Sequence, residues 1–195
     1  YLVLMNIGVI CSSGASIIIE NLNYFKKKNI NFNFVFDQKC SAILKCKINK
    51  IKYKKFKLDK FRFKKIKTYF EINKIKHVIL LYNKIVDENI YKNFKTFNIH
   101  PSYLPKYKGL NALKRQIQNK EDKIGCTLHR VNENIDGGKI IFQTKDKYKL
   151  KNYINISYQQ KVLMLKMLTL KFTNLKKFNN FKKNININNA KLILK

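Results

Sequence analysis

The chain has 195 residues, of which 45% are hydrophobic and 13% aromatic, and this suits one domain or at most two small ones. A chain of this size buries a hydrophobic core without the help of disulfides. Its apolar runs are too short to span a membrane, and its first residues lack the basic region and cleavage site of a secretory signal. We therefore expect a cytoplasmic protein with no membrane partner.

The formal net charge of +31 is the most unusual bulk property of the chain. A strongly basic protein often binds nucleic acid through the phosphates. However, only three of the 42 basic residues are arginine, the side chain that best recognises phosphates and bases: Arg62, Arg115 and Arg130. The lysines share A/T-rich codons with the abundant Asn, Ile, Phe and Tyr. A base bias in the genome explains this composition, so we expect no nucleic-acid partner.

Four cysteines are present, but none of them forms a C-x-x-C pair, and only three histidines accompany them. A structural zinc site needs four such ligands at close, paired spacing. We therefore expect no metal site.

The first half of the chain alternates strand and helix patterns. Short apolar or alternating runs predict strands, and apolar residues at helical spacing predict helices. A small-residue turn, Ser12–Ser16, follows the first strand. The predicted elements are a strand 6–11, a helix from 16 to about 28, a strand 31–36, a short helix after 39, a weak strand 51–56, a helix 58–70 and a strand 77–82.

The second half continues the alternation and ends in one long helix. The predicted elements are a helix 87–94, a strand 96–100, a loop 102–110, a helix 111–119, strands 125–131 and 139–144, and a helix 156–175. Alternating strands and helices predict an α/β fold with a mainly parallel sheet. We expect a single domain over residues 1–195, with its core in 5–178. Residues 179–195 form a polar tail that frays or ends in an edge strand near 191–194.

Asn98 and His100 stand two residues apart at the end of a predicted strand, so alternation places both side chains on the same side. Ligands of open parallel sheets gather at the carboxyl ends of the strands. An amide can donate to a developing oxyanion, and an imidazole can carry a proton near neutral pH. A carboxylate such as Asp136, in the later loop ending in Gly137-Gly138, would orient the imidazole. From spacing alone, a histidine that only satisfies the backbone and an ordinary Asp-Gly turn are the commoner interpretations, and both stay open.

Three blocks of sequence resemble one known family, in order and at the family's spacing. The run FNIHPSYLPKYKGLN at 97–111 is similar to the signature loop of glycinamide ribonucleotide formyltransferases. GCTLHRV at 125–131 and IDGGKII at 135–141 resemble the next two strands of that family and the loop between them. The resemblance is continuous from about Phe97 to Gln143, and it is weaker back through 35–39 and the first strand.

The resemblance implies a Rossmann-like formyltransferase fold and transfer of a formyl group from 10-formyltetrahydrofolate to the amine of glycinamide ribonucleotide. Asn98 would bond the formyl oxygen, His100 would manage the amine proton, and Asp136 would hold His100 and a water molecule. The implied partners are small molecules, no metal is implied, and the chain would be a monomer or homodimer. The implied folate-binding residues are Tyr82, Asn83, Lys84, Ile85, Arg130, Val131, Asn132 and Ile135. The implied substrate-phosphate residues are Ser12, Ser13, Gly14, Ala15 and Ser16.

The chain departs from the family at several positions. The family's first turn reads roughly Ser-Gly-x-Gly-Ser-Asn, whereas Ser12–Ser16 keeps one glycine and is followed by Ile17 instead of asparagine. In place of the family's folate-side Gly-Phe-Met-Arg stands Leu81–Lys84. Gln160-Lys161 stands where the long helix usually carries Glu-His. His129 is expected in a strand, in the core or at the edge of the pocket.

Other functions stay open beside this one. Methionyl-tRNA formyltransferases share the Asn-x-His and Asp pattern, and a net charge of +31 would suit tRNA. Those enzymes carry a second β-barrel domain, for which the residues after Thr144 leave no room, and their loop differs after the Leu-Pro. An amino-sugar formyltransferase is a further alternative. A degenerate, non-catalytic basic binding protein is another, favoured by the altered first turn and opposed by the intact Asn98, His100 and Asp136.

Overall fold

A computed structural model describes residues 4–57 and 59–184, along which strands and helices alternate. The chain divides into two compact units. The first unit runs to Asn98 and includes Val131–Glu133, and the second holds Ile99–Arg130 and the described residues from Asn134 onward.

The first unit is built on parallel strands. Its strands are β1 (Met5–Cys11), β2 (Ile30–Phe36), β3 (Tyr53–Lys55), β4 (His77–Leu81) and β5 (Lys95–His100), which crosses into the second unit at Ile99. They lie in the order β3-β2-β1-β4-β5, and each neighbouring pair is parallel. The helices are α1 (Ser16–Ile19), α2 (Leu22–Lys26), α3 (Ser41–Ile48), α4 (Arg62–Ile72) and α5 (Glu88–Tyr91). In β1, Gly8 leaves room for α4, since a Cβ there would lie 2.8 Å from the Phe70 ring.

The second unit contains the end of β5 and a long antiparallel pair. After α6 (Ala112–Gln118), strands β6 (Lys123–Arg130) and β7 (Ile140–Lys147) pair with a register shift between Leu128 and His129. The chain ends in α7 (Tyr153–Thr173) and α8 (Leu175–Asn184). Helix α7 packs on β6 and β7, and every residue from Val162 to Thr169 is buried.

The predicted fold class, α/β with a mainly parallel sheet and flanking helices, is confirmed. Strands β6 and β7 pair in antiparallel fashion, so the sheet is mainly but not wholly parallel. Most predicted elements agree with the structure to within a few residues, which is the usual uncertainty of element ends. The single domain over 1–195 stays a prediction.

Two element predictions are wrong. The helix expected from Ser16 to about Lys28 is two short helices, α1 and α2, because the Asn21 side chain donates to the Ile17 carbonyl (3.2 Å) and competes with the helical hydrogen bonds. The polar tail expected from 179 is helical as far as Asn184. Phe178, in the first turns of α8, is buried and lies under the Lys171 ammonium, which explains this extension. The strand expected near 191–194 lies outside the described residues.

Within 4–57 and 59–184, no helix is both long and apolar enough to cross a membrane.

Candidate active site

His100 ends β5 and is almost fully buried, with 5% of its surface exposed. Its Nε2 atom lies 2.8 Å from the backbone oxygen of Tyr107, in the loop that Pro101 begins. Tyr107 adopts a left-handed φ of 58°, and Ser102 Oγ donates to the Lys106 oxygen at 2.7 Å, so the loop folds back over the ring. Burial lowers the pKa of His100, although Tyr107 and Asp136 oppose that shift.

Asp136 meets His100 inside the second unit, as the sequence predicts. Its Oδ2 atom lies 3.2 Å from His100 Nδ1 and accepts a hydrogen bond from the Gly109 backbone N–H at 2.8 Å. Burial alone would raise the pKa of Asp136, but hydrogen bonds from His129 and Gly109 and the charge of His100 lower it to about 2. Asp136 is therefore ionised at neutral pH and can orient the imidazole.

The glycines that follow Asp136, Gly137 and Gly138, do not adopt the left-handed conformation in this loop. The left-handed φ of 47° falls on Asp136 itself, a conformation that asparagine and aspartate tolerate better than most residues. Gly137 is needed for a different reason, because a Cβ there would lie 2.7 Å from the Cβ of Asn134. The left-handed backbone of Asp136 therefore sets the direction of its carboxylate, and the tight packing of Gly137 against Asn134 holds that conformation.

His129 lies beside Asp136, a contact that the sequence interpretation did not predict. Its Nε2 atom lies 3.3 Å from Asp136 Oδ1, and its Nδ1 atom lies 2.8 Å from the Arg130 carbonyl. The register shift after Leu128 turns the side chain toward the loop, as β-bulges commonly do. No sequence pattern marks this contact, because a histidine in a strand by itself predicts only a core or pocket-edge residue.

Asn98 lies two residues before His100 in the same strand and is half-buried. Alternation along β5 directs the two side chains to the same side of the strand. Its backbone pairs with Leu80 of β4 in the first unit. The part of Asn98 in catalysis stays a proposal.

The predicted phosphate turn, Ser12–Ser16, is held within the first unit by its neighbours. Ser12 Oγ donates to Asn83 Oδ1 at 2.8 Å and accepts from the Asn83 backbone N–H at 3.1 Å. Lys45 of α3 donates from Nζ to Ser16 Oγ at 3.0 Å. The structure therefore brings a lysine, which the sequence did not single out, to the turn that lacks the family's asparagine.

Ala15 occupies the second glycine position of the family's turn pattern and keeps the conformation of a glycine, with φ 52°. A left-handed backbone costs a residue with a Cβ about 1–2 kcal/mol. We expect Ala15→Gly to raise the free energy of unfolding by about 0.5–1 kcal/mol, since relief of strain outweighs the greater freedom of unfolded glycine.

Urea unfolding of Ala15→Gly beside the wild type measures this effect. Ala42→Gly is the matched control, because Ala42 lies buried inside α3, where glycine is unfavourable. Equal or lower stability of Ala15→Gly would contradict strain at this turn.

The predicted folate-side segment, Tyr82–Ile85, is bound to a buried carboxylate. The Tyr82 hydroxyl donates to Asp37 Oδ2, Lys84 Nζ lies 3.4 Å from the same oxygen, and Arg62 Nε lies 3.5 Å from it. Burial, followed by the bond to Asp37, raises the pKa of Tyr82. The positive charge of Lys84 therefore offsets the negative charge of Asp37. The side chain of Ile85 is 72% exposed. The assignment of this segment to folate stays a prediction.

The remaining predicted folate residues fall in both units. Val131 and Asn132 belong to the first unit, where the Val131 N–H donates to the Thr96 carbonyl at 2.9 Å. Arg130 and Ile135 belong to the second, and Ile135 is 56% exposed. Burial lowers the pKa of Arg130. Their binding of folate stays a prediction.

Gln160, at the place of the family's Glu-His, has a structural contact. Its Nε2 atom donates to the Ile124 carbonyl (2.9 Å) and to Asp146 Oδ2 (2.6 Å), so it ties α7 to β6 and β7. The side chain is fully buried. Gln160 therefore has a packing role at this position.

The site has the features of an acid/base catalyst. A buried imidazole at the end of a strand, oriented by an ionised carboxylate, can take a proton from one group and return it to another. The described residues contain no cluster of His, Cys, Asp or Glu arranged to hold a metal ion. The fold and site thus have the features of an α/β enzyme that moves a proton between bound groups.

The chain belongs to the formyl transferase family, because the family model described as Formyl transferase matches residues 5–163. Phosphoribosylglycinamide formyltransferase of Haemophilus influenzae is 46% identical over 70 residues, covering 35% of this chain and 33% of that protein. Methionyl-tRNA formyltransferase of Thermotoga neapolitana is 38% identical over 68 residues, covering 34% of this chain and 22% of that protein. The alignments thus span a third or less of these relatives.

A solved structure agrees with the fold over most of the chain. Phosphoribosylglycinamide formyltransferase from Anaplasma phagocytophilum superposes with a TM-score of 0.77 at 22% identity, covering 86% of this chain and 87% of that one. At this identity, the likeness establishes the fold.

Proposed function

We propose that this protein transfers the formyl group of 10-formyltetrahydrofolate to the amine of glycinamide ribonucleotide, a step of purine biosynthesis. The observation that carries the proposal is the contact between His100 and the ionised Asp136, inside the segment that resembles glycinamide ribonucleotide formyltransferases. Membership of the formyl transferase family and the relative of that name in Haemophilus influenzae support the same substrate pair.

The proposed chemistry is acyl transfer between two nitrogens. The formyl carbon bonds to the substrate amine, the bond to the folate nitrogen breaks, and one proton moves from the amine to that nitrogen. His100 is positioned to accept and return this proton. Asn98 would donate from its amide to the formyl oxygen as negative charge develops there. Asp136 fixes the orientation of the His100 ring.

The proposed site for the substrate phosphate is the Ser12–Ser16 turn. Lys45 supports this assignment, because its ammonium lies at the Ser16 hydroxyl and is held from a separate helix. A cation beside hydroxyl groups can bind phosphate by charge-assisted hydrogen bonds. In this proposal Lys45 replaces the asparagine of the family's turn.

We expect Lys45→Met to raise KM for glycinamide ribonucleotide about 10–100-fold, the effect of losing a hydrogen bond to a charged group, with little change in kcat. The substrate without its phosphate should show no such rise. Lys47→Met, an exposed lysine on the same helix, is the matched control and should leave KM unchanged. An equal KM for Lys45→Met and Lys47→Met would exclude Lys45 from phosphate binding.

Ligand-dependent thermal stabilisation tests the substrate assignment. A ligand that binds only the folded state raises the melting temperature. We expect separate increases with glycinamide ribonucleotide and with a stable folate analogue, and none with an amino sugar nucleotide. Stabilisation by initiator methionyl-tRNA in place of the ribonucleotide would instead favour methionyl-tRNA as the formyl acceptor. The name of the Thermotoga neapolitana relative and the net charge of +31 are the reasons for testing this acceptor.

A further inference from the structure

The loop after β5 contacts both residues of the proposed catalytic pair through its backbone. The Tyr107 carbonyl lies 2.8 Å from Nε2 of His100, and the Gly109 N–H donates to Oδ2 of Asp136 at 2.8 Å. All four residues belong to the second unit. Because a carbonyl oxygen can only accept, Nε2 carries the proton in this contact, and Nδ1 is the nitrogen of a neutral ring that can take up another. The position of this stretch of backbone therefore sets the position of the proposed general base.

Arg115 of α6 holds this stretch of backbone between its two contacts. Its Nη2 atom donates to the carbonyl of Lys108, the residue between Tyr107 and Gly109. Its guanidinium carbon lies 5.7 Å from the centre of the Tyr107 ring, within the range of a cation–π contact. A planar guanidinium combines several donors with a face that stacks on rings, whereas an ammonium is a point charge. Arg115 therefore fixes both the Tyr107 ring and the adjoining carbonyl.

The Tyr107 hydroxyl is held by residues that follow α6. It donates to Oε1 of Glu121 at 2.7 Å and accepts from Nδ2 of Asn119 at 3.0 Å. The hydrogen bond from Tyr107, followed by that from Lys106, lowers the pKa of Glu121, which is therefore ionised at neutral pH. Tyr107 has a φ of 58°, a left-handed conformation that a residue with a Cβ keeps only where its surroundings hold it. The contacts of the ring and the hydroxyl provide that support.

Arg115 also acts on His100 through its charge. The charged and titratable groups that face His100 are Asp136 from its loop, His129 from β6 and Arg115 from α6. Burial is the largest cause of the lowered pKa of His100. The Tyr107 carbonyl and Asp136 oppose this shift. His129 and Arg115 add to it. The charge of Arg115 and its contacts with the loop therefore have different consequences, which substitutions can separate.

We propose that Arg115 and Tyr107 are positioning residues, which clamp the loop so that His100 keeps Nε2 on the Tyr107 carbonyl and Nδ1 beside Asp136. The clamp acts through His100 and requires no contact of its own with the substrates. Its expected effect on turnover rests on the proposed formyl transfer. The hydrogen bond of Nε2 does not, so it is also measured in the protein without substrate.

Two substitutions of Arg115 separate its contacts from its charge. Methionine removes both, whereas lysine keeps the charge without the planar guanidinium. We expect Arg115→Met and Arg115→Lys each to lower kcat about 10–100-fold with an unchanged KM for both substrates, because the general base is misplaced. Only Arg115→Met should move the acid limb of the pH profile of kcat to higher pH, since a nearby positive charge no longer lowers the pKa of His100.

Lys114→Met is the matched control, because Lys114 is exposed next to Arg115 on the same helix and carries the same charge. We expect it to keep the kcat and the acid limb of the wild type. Tyr107→Phe keeps the ring and removes the hydroxyl, so it should lower kcat by less than Arg115→Met. A kcat for both Arg115 variants equal to that of Lys114→Met would contradict the clamp.

Proton NMR measures the clamp without substrate, because a ring N–H bonded to a buried carbonyl exchanges slowly with water. The His100 signals are identified by their loss in His100→Ala. We expect slow exchange of the Nε2 proton in the wild type and in Lys114→Met, and exchange about 10-fold faster in Arg115→Lys. Equal exchange in all three proteins would overturn the proposal. If the wild type shows no formyl transfer, the proposed function fails and the exchange measurement still decides the clamp.

Discussion

Replacing His100 with alanine is expected to lower kcat about 10²–10⁴-fold, the usual contribution of a positioned general acid or base. His100 is the buried imidazole at the end of β5, and its Nδ1 atom faces the ionised Asp136 at 3.2 Å. Without it, no imidazole remains at the end of β5 to accept the amine proton. Steady-state kinetics with saturating 10-formyltetrahydrofolate and glycinamide ribonucleotide measure the loss.

His77→Ala is the control for His100→Ala. His77 begins β4, where its ring stacks on Phe97, and it is not one of the proposed catalytic residues. We expect it to keep the wild-type kcat. The wild-type profile provides a second check: because burial lowers the pKa of His100 from 6.5, the acid limb of kcat should lie below pH 6.5. A kcat of His100→Ala equal to that of His77→Ala would remove His100 from the mechanism.

Replacing Asp136 with asparagine is expected to have the second large effect, a fall in kcat of about 10²–10⁴-fold, comparable to loss of the orienting aspartate in other His-Asp pairs. The Asp136 carboxylate lies within 3.3 Å of ring nitrogens of His100 and His129 and accepts a hydrogen bond from the Gly109 N–H. An amide offers one acceptor and one donor in place of two acceptors, so it cannot bond both rings in their donor forms. The left-handed φ of 47° remains accessible to asparagine, so the backbone should hold.

The pH dependence of stability tests the same carboxylate without any substrate. The folded pKa of Asp136 is about 2, below the ordinary value of 3.8. A group with a lowered folded pKa stabilises the protein above its unfolded pKa and stops doing so as the pH falls through its folded pKa. The wild type should therefore lose on the order of 2 kcal/mol from this group between about pH 4 and pH 2. Asp136→Asn should lack that component, and an identical acid dependence would contradict the ionised Asp136.

The strands were predictable from the sequence because their apolar runs are continuous. The run from Val78 to Leu80 is buried, and so is the one from Val9 to Cys11, as parallel strands require. The break between α1 and α2 was not predictable, since it depends on one asparagine side chain that competes for the Ile17 carbonyl. Helix propensity alone favours one continuous helix there.

The proposed catalytic pair, His100 and Asp136, lies in recognisable sequence blocks, whereas the residues that contact it elsewhere in the site do not. The His-Pro-Ser run and the Asp-Gly-Gly loop resemble blocks of the formyltransferase family, and this resemblance implies that His100 and Asp136 meet. His129 has no such pattern, because its contact with Asp136 depends on a register shift in a strand pair. Lys45 reaches Ser16 from a separate helix, which no spacing along the chain reveals.

Formyl transfer by the purified wild-type protein is the most direct test of the proposed function. The assay mixes 10-formyltetrahydrofolate with glycinamide ribonucleotide, follows the release of tetrahydrofolate and identifies the formylated product by mass spectrometry. We predict product only when both substrates are present, at a rate that His100→Ala and Asp136→Asn reduce and His77→Ala does not. No product at high concentrations of both substrates, or equal rates for wild type and His100→Ala, would contradict formyl transfer by this site.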